Sequence, residues 1–300
     1  MSEGQQFRFG LVGYGEIGST VGAGLRGAGL RSVAAYDKYA FDGPYAELIQ
    51  ERARQAGVRL VRSNQELADA ADVIISVTPG SASLESAAAF APCLSGRHVF
   101  ADFASATPKI KTGVAERLAA TGALLGDGSI EGTPLLGYSM GMLSSGPAGE
   151  RVRDLLVPWG MQIAFVGPTL GTASGIKILR SVLIKGIEAL HDEMLLAARR
   201  YGIADTVLAS ASKTLARPWM DTVHSLLPSG AIHAKRRAEE LDMSAEAVAD
   251  AGIEPLMAQA IAKRLHWKAS LGLKDHFNGV VPRDFQAALD AIEQKMAEGS

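Results

Sequence analysis

Gly13, Gly15 and Gly18 fall in the spacing G-x-G-x-x-G within residues 10–18, Gly-Leu-Val-Gly-Tyr-Gly-Glu-Ile-Gly. Glycines so spaced can bring a main chain against a pyrophosphate. The first makes a tight turn, the second leaves room for close approach, and the third lets the next helix sit against the preceding strand. The helix N-terminus then offers free N–H groups and a positive dipole end to the phosphates. The motif carries that meaning only in context. Here the apolar run Phe7–Val12 precedes it, a helical stretch reaches about Gly27, and a short strand, Ser32–Tyr36, closes at Asp37. The turn therefore reads as a dinucleotide site made by Gly13, Tyr14, Gly15, Glu16, Ile17 and Gly18. Asp37 can accept hydrogen bonds from the adenosine ribose hydroxyls and would repel a 2′-phosphate, which favours NAD. Lys38 beside it is the argument for NADP, because a cation there tolerates that phosphate.

The elements that must hold these groups alternate along the chain. Helices are expected over Tyr45–Ala56 and Asn64–Ala70. Strands are expected over Val58–Val61, Asp72–Val77, His98–Asp102, Ala123–Asp127 and Met161–Val166. Asp72–Val77 is almost continuously apolar, as in a parallel sheet buried on both faces. The repetition predicts an α/β fold, a Rossmann-type doubly wound parallel sheet, over residues 1–170. Ligands of such sheets bind beyond the carboxyl ends of the strands. Asp37, Thr78, Ser105 and Glu131 all stand at or just after such ends and are expected to line one cleft. From Thr172 to about Tyr201 the pattern becomes one long helix. The rest reads as helical, which predicts an all-helical C-terminal domain over 171–300 that begins with an interdomain helix.

Composition narrows the function. The chain has 300 residues, 47% of them hydrophobic, and a net charge of −2 at pH 7. That length suffices for two domains. The charge argues against a nucleic-acid scaffold, which needs a broad basic surface. Cys93 is the only cysteine, so no disulfide framework or cysteine metal site is expected. The histidines show no metal spacing. The N-terminus has no signal-peptide pattern, and no run approaches the ~18 apolar residues of a membrane span. A cytoplasmic protein that acts on a small molecule is expected.

The second constellation is Gly-Pro-Thr-Leu-Gly-Thr-Ala-Ser-Gly-Ile-Lys-Ile-Leu-Arg-Ser, residues 167–181. Lys177 follows three small residues and sits among Ile176, Ile178 and Leu179. An apolar setting disfavours a charged ammonium. A lysine poised near neutrality can take a hydroxyl proton and return it. With the N-terminal glycines, this stretch resembles the β-hydroxyacid dehydrogenase superfamily, which includes the 3-hydroxyisobutyrate and 6-phosphogluconate dehydrogenases. Gly171 and Lys177 match the family's G-x-x-x-x-x-K, and the resemblance implies that Lys177 is catalytic. It implies further that Thr78, Pro79 and Ser105 face the nicotinamide half of the cofactor. The family loop that holds the substrate carboxylate corresponds to Asp127-Gly128-Ser129-Ile130-Glu131-Gly132-Thr133.

Departures from the family pattern concern the substrate. Glu131 replaces a serine, and Arg180 and Ser181 replace two asparagines. Substrate contacts are nonetheless expected from Ser105, Glu131, Gly132, Ser181 and, two turns along the helix from Lys177, Lys185. Residues 233–240, His-Ala-Lys-Arg-Arg-Ala-Glu-Glu, resemble the C-terminal domain of a phosphogluconate-dehydrogenase-like branch. There His233, Arg236 and Arg237 could hold a carboxylate or phosphate, or form a solvated helix face paired with Glu239 and Glu240. The resemblance implies an NAD-dependent dehydrogenase that oxidises a small polar hydroxy acid or sugar acid, an anionic substrate, as a homodimer or higher homo-oligomer. Two rivals are an NADPH-dependent imine or keto reductase on the same scaffold and a non-catalytic NAD(H)-sensing protein. Lys177 argues against both.

Overall fold

The computed structural model describes residues 6–132 and 134–299. The chain divides into two compact units, the first ending at Val182 and the second beginning at Leu183. The first unit is built on one sheet. Its strands are β1 (Arg8–Val12), β2 (Ser32–Tyr36), β3 (Arg59–Val61), β4 (Val73–Ser76), β5 (Val99–Asp102), β6 (Leu124–Ile130), β7 (Gly141–Ser145) and β8 (Gln162–Phe165). They lie in the order β3-β2-β1-β4-β5-β6-β7-β8. β7 runs antiparallel to β6 and parallel to β8, and the other pairs are parallel. The order reverses between β1 and β4, the topological switch point at which such sheets bind ligands. The sequence reading missed β7. Its residues Gly-Met-Leu-Ser-Ser lack a continuous apolar run, and Ser144 and Ser145 are buried through hydrogen bonds instead.

Two cores follow from the alternation of side chains along each strand. Phe9 and Leu11 of β1 join one core with Val21 and Leu25 of α1 (Glu16–Gly27) and Val152 and Leu156 of α6 (Gly149–Leu156). Val12 joins the other, with Leu67 of α3 (Asn64–Ala70), Phe90 of α4 (Ser83–Phe90) and Leu118 of α5 (Pro108–Leu118). Helix α2 (Ala46–Ala56) closes on Gly57, whose φ of 65° is the left-handed stop that glycine favours. Helix α3 starts at Ser63, whose Oγ accepts from the Glu66 N–H at 3.1 Å.

Helix α7 (Thr172–Arg200) begins in the first unit. The break at Val182 falls inside this helix, whereas the sequence suggested a division near 170/171. The first turn of α7 is tied to the sheet: the Ala173 N–H donates to Ser145 Oγ at 3.0 Å and the Ser174 N–H to Asp127 Oδ2 at 3.1 Å. Beyond Leu183 the described residues are helical: the rest of α7, α8 (Ala204–Leu215), α9 (Trp219–Asp250), α10 (Leu256–Ser270), α11 (Leu273–His276) and α12 (Phe285–Glu298). Ala231, Leu273, Ala288 and Ala291 form a small core there. The Glu193 carboxylate accepts the Met257 and Ala258 N–H groups at 2.6 and 2.8 Å and so caps α10.

Tyr14 follows the first glycine of the turn and is fully buried. Its hydroxyl finds no partner among the described residues. Burial pushes the phenol up to about 12, with Arg52 opposing. The folded state thus holds the proton more tightly than the unfolded chain, so its contribution to stability is lost as pH rises from about 10 through about 12. Tyr14→Phe is expected to leave stability at pH 7 equal or higher by about 1 kcal/mol and to flatten the alkaline decline. Urea unfolding between pH 7 and 12 reads both effects, and a decline as steep as in the parent protein would contradict the assignment.

Candidate active site

The carboxyl ends of β1, β2, β4 and β5 surround a cleft of about 900 Å³. Gly13, Gly15, Glu16, Ile17 and Gly18 line its floor, Asp37 and Lys38 one side, and Thr78, Pro79 and Ser105 another. Ile130, Gly132 and Lys177 line it as well. The expected strand-end groups therefore meet around one cavity, with the exception of Glu131, and Lys177 joins them from α7.

The glycines have steric causes. Gly13 has φ 93°, and a Cβ on Gly18 would fall 2.2 Å from the Gly13 carbonyl oxygen. Any side chain at Gly18 would push α1 off the turn. A Cβ on Gly15 would meet nothing within 4 Å. That open space lies over the N-terminus of α1, where a phosphate can approach the backbone. The residues present thus fit a dinucleotide.

Asp37 is also part of the turn's framework. Its Oδ2 accepts the Tyr14 N–H at 2.8 Å and its Oδ1 accepts the Tyr39 N–H at 2.9 Å. Each oxygen keeps a lone pair for a ligand hydroxyl. The Lys38 ammonium sits 4.9 Å from the Tyr39 ring centroid, and Tyr39 holds its pKa above the ordinary lysine value by hydrogen bonding and charge. Arg52 also lines the cleft, with Leu48 and Ile49 on the same face of α2. The sequence reading did not single out Arg52. Its signal was the helical spacing of 48, 49 and 52 just after the strand that ends at Asp37.

The structure places the side chains of three of the expected residues outside the cleft. The Tyr14 side chain is in the core and not in the cleft; only its main chain belongs to the turn. Glu131 does not line the cleft, and its Oε2 lies 3.2 Å from Arg180 Nη1. The two departures from the family pattern thus neutralise each other. The Ser181 hydroxyl donates to the Lys177 carbonyl at 2.8 Å, one turn back in α7, and does not line the cleft. Thr133 lies outside the described residues.

Lys185, His233, Arg236 and Arg237 belong to the second unit. Arg236 pairs with Glu240. Arg237 reaches back to Ser229 Oγ at 2.9 Å and the Leu226 carbonyl at 3.2 Å, bracing α9 beside Pro228. Nearby, Lys268 donates to the Leu227 carbonyl at 3.3 Å; burial, then Arg237 and Arg264, lower its pKa. The Arg236 and Arg237 side chains thus bond within their own helix. Lys185 and His233 are exposed.

A buried ionic network beneath the cleft was also missed. Lys111 of α5 donates to the Asp102 main-chain oxygen at 2.6 Å; its Nζ lies 3.0 Å from Asp102 Oδ2 and 3.6 Å from Asp127 Oδ1. Asp102 Oδ1 accepts the Ala104 N–H at 3.1 Å. Asp127 accepts from Ser145 Oγ at 3.0 Å, from the Ser174 N–H, and from the Ser174 hydroxyl. The three charged side chains are 2% exposed or less. Lys111 lies in a segment that looks like an ordinary solvated helix, and only the end-to-end register of β5 with β6, Asp102 opposite Asp127, brings its partners together.

The fold is Rossmann-type with a helical second unit, and the cleft lies at the switch point of its sheet. Residues 198–267 match the family described as a domain of unknown function, DUF1932. The chain is 28% identical to a conserved hypothetical protein from Sinorhizobium meliloti 1021, covering 97% of each chain with a TM-score of 0.62. It is also 28% identical to the conserved protein MTH1747 of unknown function, described as structurally similar to 3-hydroxyacid dehydrogenases, covering 91% of this chain and 99% of that one with a TM-score of 0.58. A reductive aminase from Aspergillus terreus, solved with NADPH4, cyclohexanone and allyl amine, shares the fold at 16% identity, 96% and 100% coverage and a TM-score of 0.70. The chain thus has the fold of the 3-hydroxyacid dehydrogenase-like and imine reductase group of NAD(P)-dependent oxidoreductases, which bears out the resemblance read from its sequence.

Removing the cation of the buried network leaves two carboxylates facing each other out of water. Lys111→Met is expected to destabilise the protein by about 3–5 kcal/mol in urea unfolding. A loss below about 1 kcal/mol, the size of a surface pair, would show that the network contributes little.

Proposed function

We propose that this protein is an NAD-dependent dehydrogenase that oxidises a small polar hydroxy acid or sugar acid, with Lys177 as its general acid and base. The observation that carries the reading is that Lys177 lines the same cleft as the glycine turn and Asp37. When bound, the nicotinamide would accept a hydride from the substrate carbinol carbon. The protein's own residues do the rest. The turn Gly13–Gly18 and the α1 N-terminus hold the pyrophosphate, and Asp37 accepts the ribose hydroxyls with its remaining lone pairs. Thr78, Pro79 and Ser105 orient the nicotinamide end. The Lys177 Nζ takes the hydroxyl proton during oxidation and returns it during reduction. Gly132 and Ser105 border the substrate space.

A second reading, reduction of an imine or ketone with NADPH, has one specific observation in its favour. Arg52 and Lys38 line the cleft on the side of Asp37, and cations there suit a 2′-phosphate. The Asp37 carboxylate weighs against it, as does a lysine at the acid–base position. We further propose a cytoplasmic homodimer or higher homo-oligomer. Helix α8 has no buried residue, and it exposes Leu208 and Leu215, apolar area that a second copy would cover.

Lys177→Ala is expected to lower kcat by about 10²–10⁴-fold and to change cofactor affinity by less than about threefold. Steady-state kinetics with a parallel NADH titration checks this. Turnover that survives the substitution would remove Lys177 from the acid–base role.

A further inference from the structure

The second unit gathers cations that no acid of the chain neutralises. Lys268 of α10 and Arg237 of α9 meet over Gly230, which is buried in α9. A Cβ on Gly230 would fall 3.0 Å from Lys268 Nζ and 3.2 Å from Arg237 Nη1. The two nitrogens thus stand around one point, and the bare backbone of the glycine lets both come down onto the helix. Arg264 lies one turn before Lys268, on the same face of α10. Its guanidinium carbon sits 3.9 Å from the Trp267 ring centroid. All three cations belong to the second unit. Arg264 is exposed, and Lys268 and Arg237 are partly so, which leaves the group open to solutes.

The groups that these cations touch are neutral. Lys268 donates to the Leu227 carbonyl at 3.3 Å, and Arg237 to the Leu226 carbonyl and Ser229 Oγ. No carboxylate among the described residues forms an ion pair with any of the three. Glu240 is taken by Arg236 and Asp242 by His266. Glu239, two residues from Arg237, leaves another face of α9. Burial, and then Arg237 and Arg264, lower the Lys268 pKa, as expected where like charges repel. Donors remain for a ligand. An ammonium has three N–H groups and a guanidinium five, and the bonds above use only a few of them.

We infer that Arg237, Lys268 and Arg264 form an oxyanion site of the second unit, which takes a phosphate group, free or as a monoester. A phosphate dianion offsets the excess positive charge better than a monocarboxylate does, and it presents more terminal oxygens. Arginine forks match such oxygens in pairs, and a lysine serves as a point charge. The bound anion joins α9 to α10 and replaces the mutual repulsion of the cations by attraction. The site owes nothing to the dehydrogenase reading.

Inorganic phosphate and, separately, glycerol 3-phosphate are titrated into the full chain in chloride buffer of constant ionic strength at pH 7, followed by calorimetry. One saturable site per chain is expected, with acetate at least about 10-fold weaker. Lys268→Met and Arg264→Met each weaken phosphate by about 10-fold or more, the loss of one charge-assisted contact. An unchanged circular dichroism spectrum shows that each variant is folded. Arg264 is exposed, so its variant carries the test even where Lys268→Met fails to fold. A monoester that binds more tightly than inorganic phosphate identifies the ligand as a phosphorylated small molecule, and the reverse order identifies the free ion. Absence of saturable binding with both, acetate as tight as phosphate, or binding that survives the substitutions overturns the inference.

Discussion

The Asp127 carboxylate is the contact on which the rest of the first unit depends. It lies in the middle of β6, opposite the last residue of β5, fully shielded from solvent, and accepts hydrogen bonds from Ser145 on β7 and from the backbone and side chain of Ser174 on α7. The first N–H groups of a helix have no intrahelical partner. Here the sheet supplies them, through Asp127 for Ser174 and through Ser145 for Ala173. An acidic group at this end also complements the helix dipole. Burying a carboxylate is costly without compensation, and Lys111 with Asp102 provides it from the neighbouring helix and strand. Lys177 follows Ser174 by less than one turn. Its position over the cleft is thus set by a cap that reaches back into the sheet.

The glycine turn is held by a second carboxylate in the same manner. Asp37 accepts one N–H from the turn and one from the segment after β2. It both fixes the glycine turn and lines the cleft. The main chain can come so close only because Gly18 has no side chain to meet the Gly13 carbonyl. Two acidic residues of the sheet, Asp37 just past the end of β2 and Asp127 within β6, therefore organise the two constellations, the glycine turn and the lysine helix. The cleft between them is a property of the first unit alone.

Much of this was legible in the sequence because the signals are local. The spacing of three glycines, the apolar run before them and an acid at the next strand end fix a βαβ unit, and β2 and α3 occupy the residues read for them. What stayed hidden depends on contacts across the chain. Strand β7 has no apolar signature because its serines are buried through bonds to Gly149 and Asp127. Lys111 looks like any helix lysine until β5 and β6 bring two carboxylates to it. Glu131 and Arg180 each looked like an obstacle to an acidic substrate or an unexplained departure, and only their contact shows that they compensate each other. The direction of the Tyr14 ring was hidden for the opposite reason. Its neighbours in sequence line the cleft, but the backbone turn sends its ring into the core.

The most direct test of the account is a titration of the purified protein with NAD and NADP in both redox states, run beside a reduction assay against 3-hydroxy acids, tartrate-like acids and aldonates. The account predicts tighter binding of NAD than of NADP, and NAD reduction with at least one of these acids. Failure to bind either dinucleotide would contradict it at its base, since the glycine turn, Asp37 and Lys177 would then share a cleft for some other purpose.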